Sequence, residues 1–525
     1  MNPEFNNIDN IITSNQSIID QYESNISEFQ KKDIHSIATP TSFAELKEIV
    51  KISYQDKIDI FVTSTGKNWG LGSKQPIAKN SQVVHLKNMN NIIEVNEKYR
   101  YAIIEPGVTQ EQLSTYLRKN HQNFKFPVTG SSKGTSVVGN MLERGVAAFG
   151  HKNHLLVALE VILTNGEVLR TGFWHYFENN NPLAFHYPFG HGPDLRGIFT
   201  QSNMGVVSKM VIRLVPKLEG VVLTLHFQED SLKLVTNLLR KMNEEKLLDD
   251  GIVITNLNDP RTTNNQVYQY EGEWIASATF SGVKQVLKVK TSVIRKRLKQ
   301  HGIEAYFIGS KKKHFGISKS SFYPFLLNMI DNNSFLRGKI GTIKVKNGIT
   351  FNQINKGFQT LVNYFDGIPS NHSIKTMGMI NNTTLTHEDL DNTDIIGLSL
   401  ALPAIPFNGE DALQASRLVN QISKKWEVNA FHNLATVDEL TFEGFYRIYF
   451  DRKDSSAIER AHAWSKDLHQ VFEQKGYLPY RIDNKLMSSF TNKKDDTYWN
   501  IVQQIKKTLD KNLLLSKGKY CPNLD

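Results

Sequence analysis

The segment Thr63–Ser73, which reads TSTGKNWGLGS, sets three glycines directly behind the apolar run Ile58-Asp59-Ile60-Phe61-Val62. A β-patterned run that ends this way must turn tightly, and glycine reaches backbone conformations that other residues resist. The spacing G-x-x-x-G-x-G is not a P-loop, which needs Gly-Lys-Ser/Thr after a second glycine. It also lacks the G-x-G-x-x-G spacing that opens a dinucleotide-binding helix. Successive main-chain N–H groups in such a turn can form a nest for an anion. Taken alone, a glycine-rich surface turn explains the segment equally well.

A second loop changes that balance. Pro127–Asn140 reads PVTGSSKGTSVVGN, and Gly130, Ser131, Ser132, Gly134, Thr135, Ser136 and Gly139 supply small side chains, hydroxyls and accessible backbone. A pyrophosphate needs several N–H donors and a close approach of backbone, and two such loops can hold both of its ends.

The surrounding chain alternates strands and helices. Ser42 followed by Glu45 is a capping box, and the helix it opens is expected to end near Gln55. The runs QVVHL, IIEVN and YAII read as strands, Pro106-Gly107 as a turn, and Thr109 with Gln112 as the cap of a helix. HLLVALEVILTNGEVLRTG reads as two strands joined by an Asn165-Gly166 hairpin, and Gly197–Lys217 as a helical turn leading into a strand. From about Gly220 to about Gly476, β-runs such as VVLTLHF, EWIASATF, IIGLSLALPA and FYRIYFD alternate with amphipathic helices. This is the pattern of a second α+β domain with its sheet on one side and its helices on the other.

Composition removes several classes of function. A chain of 525 residues with 40% apolar and 22% charged residues is an ordinary soluble protein with room for two to four domains. Cys521 is the only cysteine, so there is neither an intrachain disulfide nor a thiolate metal cage. The N-terminus lacks the pattern of a signal peptide, and the most apolar run, LLVALEVIL, is too short to span a membrane. A cytoplasmic protein with no membrane partner is expected. The charge of +10 is densest over Lys284–Gly302, where Val286, Leu287, Ile294 and Leu298 fall near helical spacing. The basic residues are then the solvated face of a helix, and with no nucleic-acid module beside them, nucleic acid is not an expected partner. His151 and His154 form an H-x-x-H pair without a third ligand nearby, so no metal is expected. His186 and His191 are expected to act as hydrogen-bonding residues.

The motifs GKNWGLGS, YAIIEPGVT, GTSVVGNMLERGV, LEVILTNGEVLRTG, GPDLRGIFTQSNMGVVSK, GYLPYR and LLLSKGK occur in this order between Ile34 and Pro522. In this they resemble the vanillyl-alcohol oxidase and 4-cresol dehydrogenase family of FAD-binding PCMH-type flavoproteins. The resemblance implies an α+β chain in which a two-part FAD-binding domain, residues 1–218 and 479–525, surrounds a cap domain of residues 219–478. It implies that Thr65, Gly66, Lys67, Asn68, Trp69, Gly70, Leu71, Gly72 and Ser73 contact FAD, as do Gly130, Ser131, Gly134, Thr135, Ser136, Gly139 and Asn140. Gly205, Val206 and Val207 would meet the nucleotide through backbone, and Lys519 would approach it from the C-terminal end. Tyr480 and Arg481 match the pair that stabilises an anionic substrate oxygen. A phenol-type donor loses hydride more readily as the phenolate, so donors aimed at that oxygen lower the barrier.

Three departures accompany the resemblance. Leu71 stands where the family carries a third phenolate ligand, a tyrosine. Asn153, followed by His154, stands where an aspartate is expected beside the reactive flavin nitrogen, and an amide cannot take a proton. Glu443 or Gly444 falls where a histidine or tyrosine tethers FAD, with Tyr446 close by, and Asn68 replaces the alternative histidine tether of related flavoproteins. Non-covalent FAD is therefore expected.

The function implied is an FAD-dependent oxidase or dehydrogenase acting on a C–H bond of a small or medium organic substrate, aromatic or phenolic compounds included. Leu71 and Asn153 point away from plain 4-alkylphenols, toward a larger metabolite. Oxygen or a redox protein would accept the electrons, and a homodimer is consistent with the family. The alternative is a flavin-binding subunit with weakened catalysis.

Overall fold

The computed structural model describes residues 10–147, 150–177, 179–257, 273–309, 314–316, 359–380, 385, 390–392, 396–492 and 496–522. Residues 1–9 and parts of the expected cap at 258–272 and 317–358 lie outside them.

The first sheet has four strands in the order Ile12–Thr13, Ile34–Ala38, Ser81–His85, Ile60–Thr63, and the last three run parallel. The helix Phe43–Gln55 ends where its sequence indicates. Ser42 accepts the Glu45 N–H at 3.3 Å, but the Glu45 carboxylate returns to the N–H of Thr41, at 2.7 Å, instead of Ser42. Leu46, Ile49 and Val50 of this helix pack on Ala38, Ile60 and Val84. The chain's C-terminal end extends the sheet at its Ile60 edge. Ile60 donates its N–H to Leu514 at 2.9 Å, and Ser516 returns one to Ile60 at 2.7 Å.

The second sheet is antiparallel, in the order Val168–Arg170, Leu156–Ile162, Val206–Arg213, Tyr101–Ile104, Ile92–Asn96. Every residue of Leu156–Ile162 is buried, which explains why that strand reads as an unbroken apolar run. Its one charge, Glu160, is matched by Arg170 at 2.9 Å and Lys209 at 2.8 Å. Burial pushes the Glu160 carboxyl up, and the two cations outweigh that and hold it below its ordinary range. Asn165-Gly166 makes the expected hairpin, with Gly166 at φ +82°. Ile162 and Val206 join the apolar cluster of the first sheet, so the two sheets share a core.

The third sheet has eight strands, from His314–Gly316 at one edge through Gly220–Gln228 and Glu273–Ser281 to Asn433–Thr436, Thr441–Gly444 and Ala404–Pro406. One large apolar cluster joins its Leu223, Leu225 and Phe442 to residues of the helices Leu232–Glu244, Lys284–Gln300, Gly409–Lys425 and Ser455–Lys475. In the basic helix, the buried stripe is Leu287, Ile294 and Leu298. Val286, expected on that stripe, is 43% exposed. One residue is about 100° of helix turn, which carries Val286 off a stripe set by Leu287 and Ile294. A three-stranded sheet of Gly397–Ala401, Tyr446–Phe450 and Ala430–Phe431 lies beside the third sheet and faces the glycine loops.

Candidate functional site

A cavity of about 370 Å³ opens between the loops of the first two sheets and the three-stranded sheet. Its floor begins where the strand Ile60–Thr63 ends. Gly66, Gly70 and Gly72 adopt φ of +69°, +83° and +109°, so the loop doubles back along itself. A Cβ at Gly70 would come within 2.4 Å of Leu400 and one at Gly72 within 2.1 Å of Asn484. These two glycines serve close packing behind the loop, and neither lines the cavity. Among the described residues, no acceptor takes the main-chain N–H of Thr65, Gly66, Asn68 or Trp69. Several open donors on one loop suit an anion.

The second loop is shaped by Gln110, a buried side chain that sequence reading passed over. Its carbonyl accepts the Thr129 N–H at 3.0 Å, and its amide donates to the carbonyls of Thr129 and Ser132. Ser136 caps the short helix Val137–Leu142 and accepts the Gly139 N–H at 2.9 Å. Its own N–H donates to the Thr65 hydroxyl at 3.0 Å, which ties the two loops together. A Cβ at Gly139 would lie 2.2 Å from the Ser64 hydroxyl, so only glycine allows that approach. Gly205, Val206 and Val207, at the start of a strand of the second sheet, close this end. The open amides, hydroxyls and glycine contacts fit the pyrophosphate of a dinucleotide such as FAD.

At the middle of the cavity the charges concentrate. Glu143 pairs with Lys519 at 2.8 Å and accepts the Tyr520 hydroxyl at 2.8 Å. Burial pushes the Glu143 carboxyl up, but Lys519 and Arg481 hold it below its ordinary range. Arg481 donates to the Asn68 side-chain oxygen. Burial lowers the Arg481 pKa, yet Glu143 beside it, with Tyr480, Tyr520 and Glu443, keeps it above its usual value. Tyr480 stands just behind Arg481. Its hydroxyl is buried, its ring packs 6.0 Å from Phe445, and its main chain is held by Leu402 and by Gln201 at 2.7 Å. The Tyr480 hydroxyl faces the Glu443 carboxyl. Burial raises both pKa values well above their ordinary ranges, only partly opposed at Glu443 by Arg481.

The far wall is apolar. Leu71, Leu398, Leu400, Leu402, Phe445 and Tyr449 line it, with Arg447 among them. Leu71 is 3% exposed and sits where this wall meets the first loop.

Most of the predicted residues meet at the cavity: Thr65 to Trp69, Leu71, Ser73, Gly130, Ser131, Thr135, Ser136, Gly139, Asn140, Gly205 to Val207, Arg481 and Lys519 all line it. Gly70, Gly72, Gly134, Tyr480 and Asn153 do not. Asn153 lies in the short turn Lys152–Leu155. The neighbouring Lys152 is buried and donates to the Asn140 side-chain oxygen at 2.8 Å. Burial brings its pKa down to about 7. Tyr446 points into the apolar core against Phe472, away from the cavity. Glu143, Gln110, Lys152 and Arg447 were missed. Glu143 lies inside the quoted GTSVVGNMLERGV motif, and alternation along Phe445–Tyr449 is the signal that marks Arg447 as facing the cavity.

Residues 34–172 match the family described as an FAD binding domain. The chain is 26% identical over 514 residues to 1'-carboxy-chondrochloren decarboxylase of Chondromyces crocatus, covering 93% of this chain and 90% of that protein. It is 24% identical over 488 residues to the flavoprotein subunit of the hydroxylating 4-cresol dehydrogenase of Pseudomonas putida, covering 92% and 86%. The fold superposes on 4-ethylphenol oxidase of Gulosibacter chungangensis with a TM-score of 0.82 at 20% identity, covering 98% of this chain and 95% of that one. On substrate-bound p-cresol methylhydroxylase the TM-score is 0.79 at 20% identity, covering 98% and 94%.

Proposed function

We propose that this chain, whose residues 34–172 match an FAD binding domain and which is 24% identical over 488 residues to a 4-cresol dehydrogenase flavoprotein subunit, is a PCMH-type FAD-dependent oxidoreductase that takes a hydride from a C–H bond of an aromatic substrate while Tyr480 and Arg481 hold an anionic substrate oxygen. Bound FAD would supply the hydride acceptor. Thr65 to Trp69 and Gly130 to Asn140 would hold its pyrophosphate, with Gly205 to Val207 and Lys519 beside them. The FAD-binding part would comprise residues 1–218 and 479–525, with residues 219–478 as the cap over the substrate.

The observation that carries this reading is one cavity with two chemistries. Open amides of the first loop and the apolar side chains Leu398, Leu400 and Leu402 line the same cavity, together with Arg481, which is fixed by Asn68 and Glu143. Arg481 keeps its charge at any working pH and can stabilise an oxygen anion in a site with little water. Tyr480 enters the proposal through the family resemblance, since it lies behind Arg481 and does not line the cavity. The relatives' names fit an aromatic substrate: one acts on 4-cresol, and one solved neighbour on 4-ethylphenol.

Anaerobic mixing of the FAD-loaded protein with a panel of phenols and aryl alcohols tests the reading by bleaching of the flavin. Arg481→Met should slow bleaching by about 10²-fold with FAD still bound. A panel that leaves the flavin oxidised overturns the reading.

FAD would be held without a covalent bond. Asn68 is engaged with Arg481, Tyr446 is in the core, and Glu443 and Gly444 offer no tether. Acid precipitation should leave the yellow colour in the supernatant, and colour in the pellet refutes this.

A further inference from the structure

The basic helix Lys284–Gln300 turns a second apolar stripe away from the protein. Leu287, Ile294 and Leu298 pack into the core, whereas Val286, Val289 and Val293 are 43%, 63% and 38% exposed. At about 100° per residue these three valines fall within about 60° of one another, on a line turned away from the buried stripe. Val283, at the N-cap, is 64% exposed as well. Single apolar side chains scattered over a surface need no explanation, but several aligned on one helix do.

The rest of the helix is basic. It carries Lys284, Lys288, Lys290, Arg295, Lys296, Arg297 and Lys299, and no acidic residue. Among the described residues, one of these cations lies within ion-pair distance of a carboxylate: Arg297 meets Glu245 at 2.5 Å. Arg295 lies over the Phe307 ring, and the charge of Lys290 reaches Asp249. Lys284, Lys288, Lys296 and Lys299 stand exposed. By the same turn per residue, Lys290 and Lys296 flank the valine stripe on its two sides. Local stability alone would choose other residues. Val283 occupies the N-cap without a side-chain bond, and Lys284 faces the positive end of the helix dipole.

An apolar line bordered by lysines discriminates among partners. Protein interfaces are depleted in lysine and take few of their hot spots from valine. Nucleic acid would use the cations but gain nothing from the valines, and the helix has no aromatic side chain for a base to stack on. An anionic lipid surface uses both, because its head groups meet the lysines while the valines enter the boundary between head groups and acyl chains. Among the described residues no helix is long and apolar enough to cross a membrane, so the contact is peripheral. We propose that the exposed face of Lys284–Gln300 docks on an anionic lipid surface, with Val286, Val289 and Val293 at its centre and Lys288, Lys290, Lys296 and Lys299 around them.

The test sediments the full-length, FAD-loaded protein with vesicles of phosphatidylcholine alone and with vesicles that also hold about 30% phosphatidylserine. The protein should pellet with the second and not with the first, and raising the salt from about 0.1 M to about 0.5 M should release it. A net charge of +10 could produce that much without any one helix, so variants separate the helix from the average surface. Val286→Ser combined with Val289→Ser removes apolar surface at constant charge and should weaken binding about tenfold. Lys296→Glu should weaken it at least about fivefold, the worth of one lysine near a charged surface. Lys119→Glu makes the same change of charge at an exposed position of the helix Gln110–Asn120 and should leave binding within about twofold. Failure to pellet with either vesicle overturns the proposal, and so does equal binding to both. Binding that the two serine changes leave unaltered, or that Lys119→Glu weakens as much as Lys296→Glu, overturns it too. Retention on duplex DNA without pelleting on anionic vesicles assigns the cations to nucleic acid instead. The comparison of the two vesicles uses the unmodified protein and does not depend on how the variants fold.

Discussion

Leu71 shows how one side chain can redirect a site whose scaffold is otherwise shared. It is buried at the junction of the first loop and the apolar wall, close to the charges around Arg481. A leucine there offers no hydrogen, so a substrate oxygen must rely on Arg481 and Tyr480. Leu71→Tyr is expected to speed flavin reduction by simple 4-alkylphenols about tenfold, the worth of one added charge-directed donor. Stopped-flow absorbance reads this directly. A folded, flavin-bound variant with an unchanged or lower rate counts against the assignment. Leu71 was legible because a motif surrounds it. Glu443 and Arg447 were not, because their significance is a matter of burial. An exposed glutamate keeps an ordinary carboxylate pKa, and burial beside Tyr480 is what raises that of Glu443.

Turns show the same division among elements. Pro106-Gly107 reads as a turn from two residues alone, but the demand on the glycine comes from its neighbours. A Cβ at Gly107 would lie 2.6 Å from the carbonyls of Leu86 and Lys87 and 2.7 Å from that of Met89. Backbone oxygens cannot rotate aside as a side chain can. Gly107→Ala is therefore expected to cost about 3 kcal/mol, the upper range for overpacking. Urea unfolding checks it, and a loss below about 1 kcal/mol would show that the turn relaxes. Helix starts were readable from local chemistry: Ser42 and Thr109 each accept the N–H that their position requires. The buried face of the basic helix was less so, since Val286 and Leu287 are both apolar and only packing chooses between them.

Across the whole molecule, two neutral histidines are sealed in different cores. His85 is hydrogen-bonded to Tyr22 at 2.7 Å in the first sheet, and His432 lies beside Ser416 at 3.2 Å under the third. Burial lowers both to about 3, helped at His85 by nearby lysines. Their folded pKa values lie below the ordinary value of about 6.5, so the unfolded chain binds the protons first. The stability they contribute is complete above about pH 6.5 and is lost as pH falls toward about 3. Each histidine adds a slope of about 1.4 kcal/mol per pH unit in that window. Urea unfolding at a series of pH values should show it, and His432→Gln should remove about half. A profile in this window that His432→Gln leaves unaltered refutes the assignment. What local sequence settled about this protein is what short-range chemistry can specify: the strand–loop junction at Thr63, the second hydroxyl-rich loop, the helix caps, the hairpin and the order of motifs. What required the folded chain is everything that depends on distance through space. The C-terminal segment lies along Ile60 and brings Lys519 to Glu143 across a sequence separation of 376 (519 − 143). Gln110 shapes a loop twenty residues away, and Arg447 faces a cavity only because strand pairing turns alternate side chains toward it. Burial, which raises the Glu443 pKa, is a property of the enclosing walls and appears only once they meet.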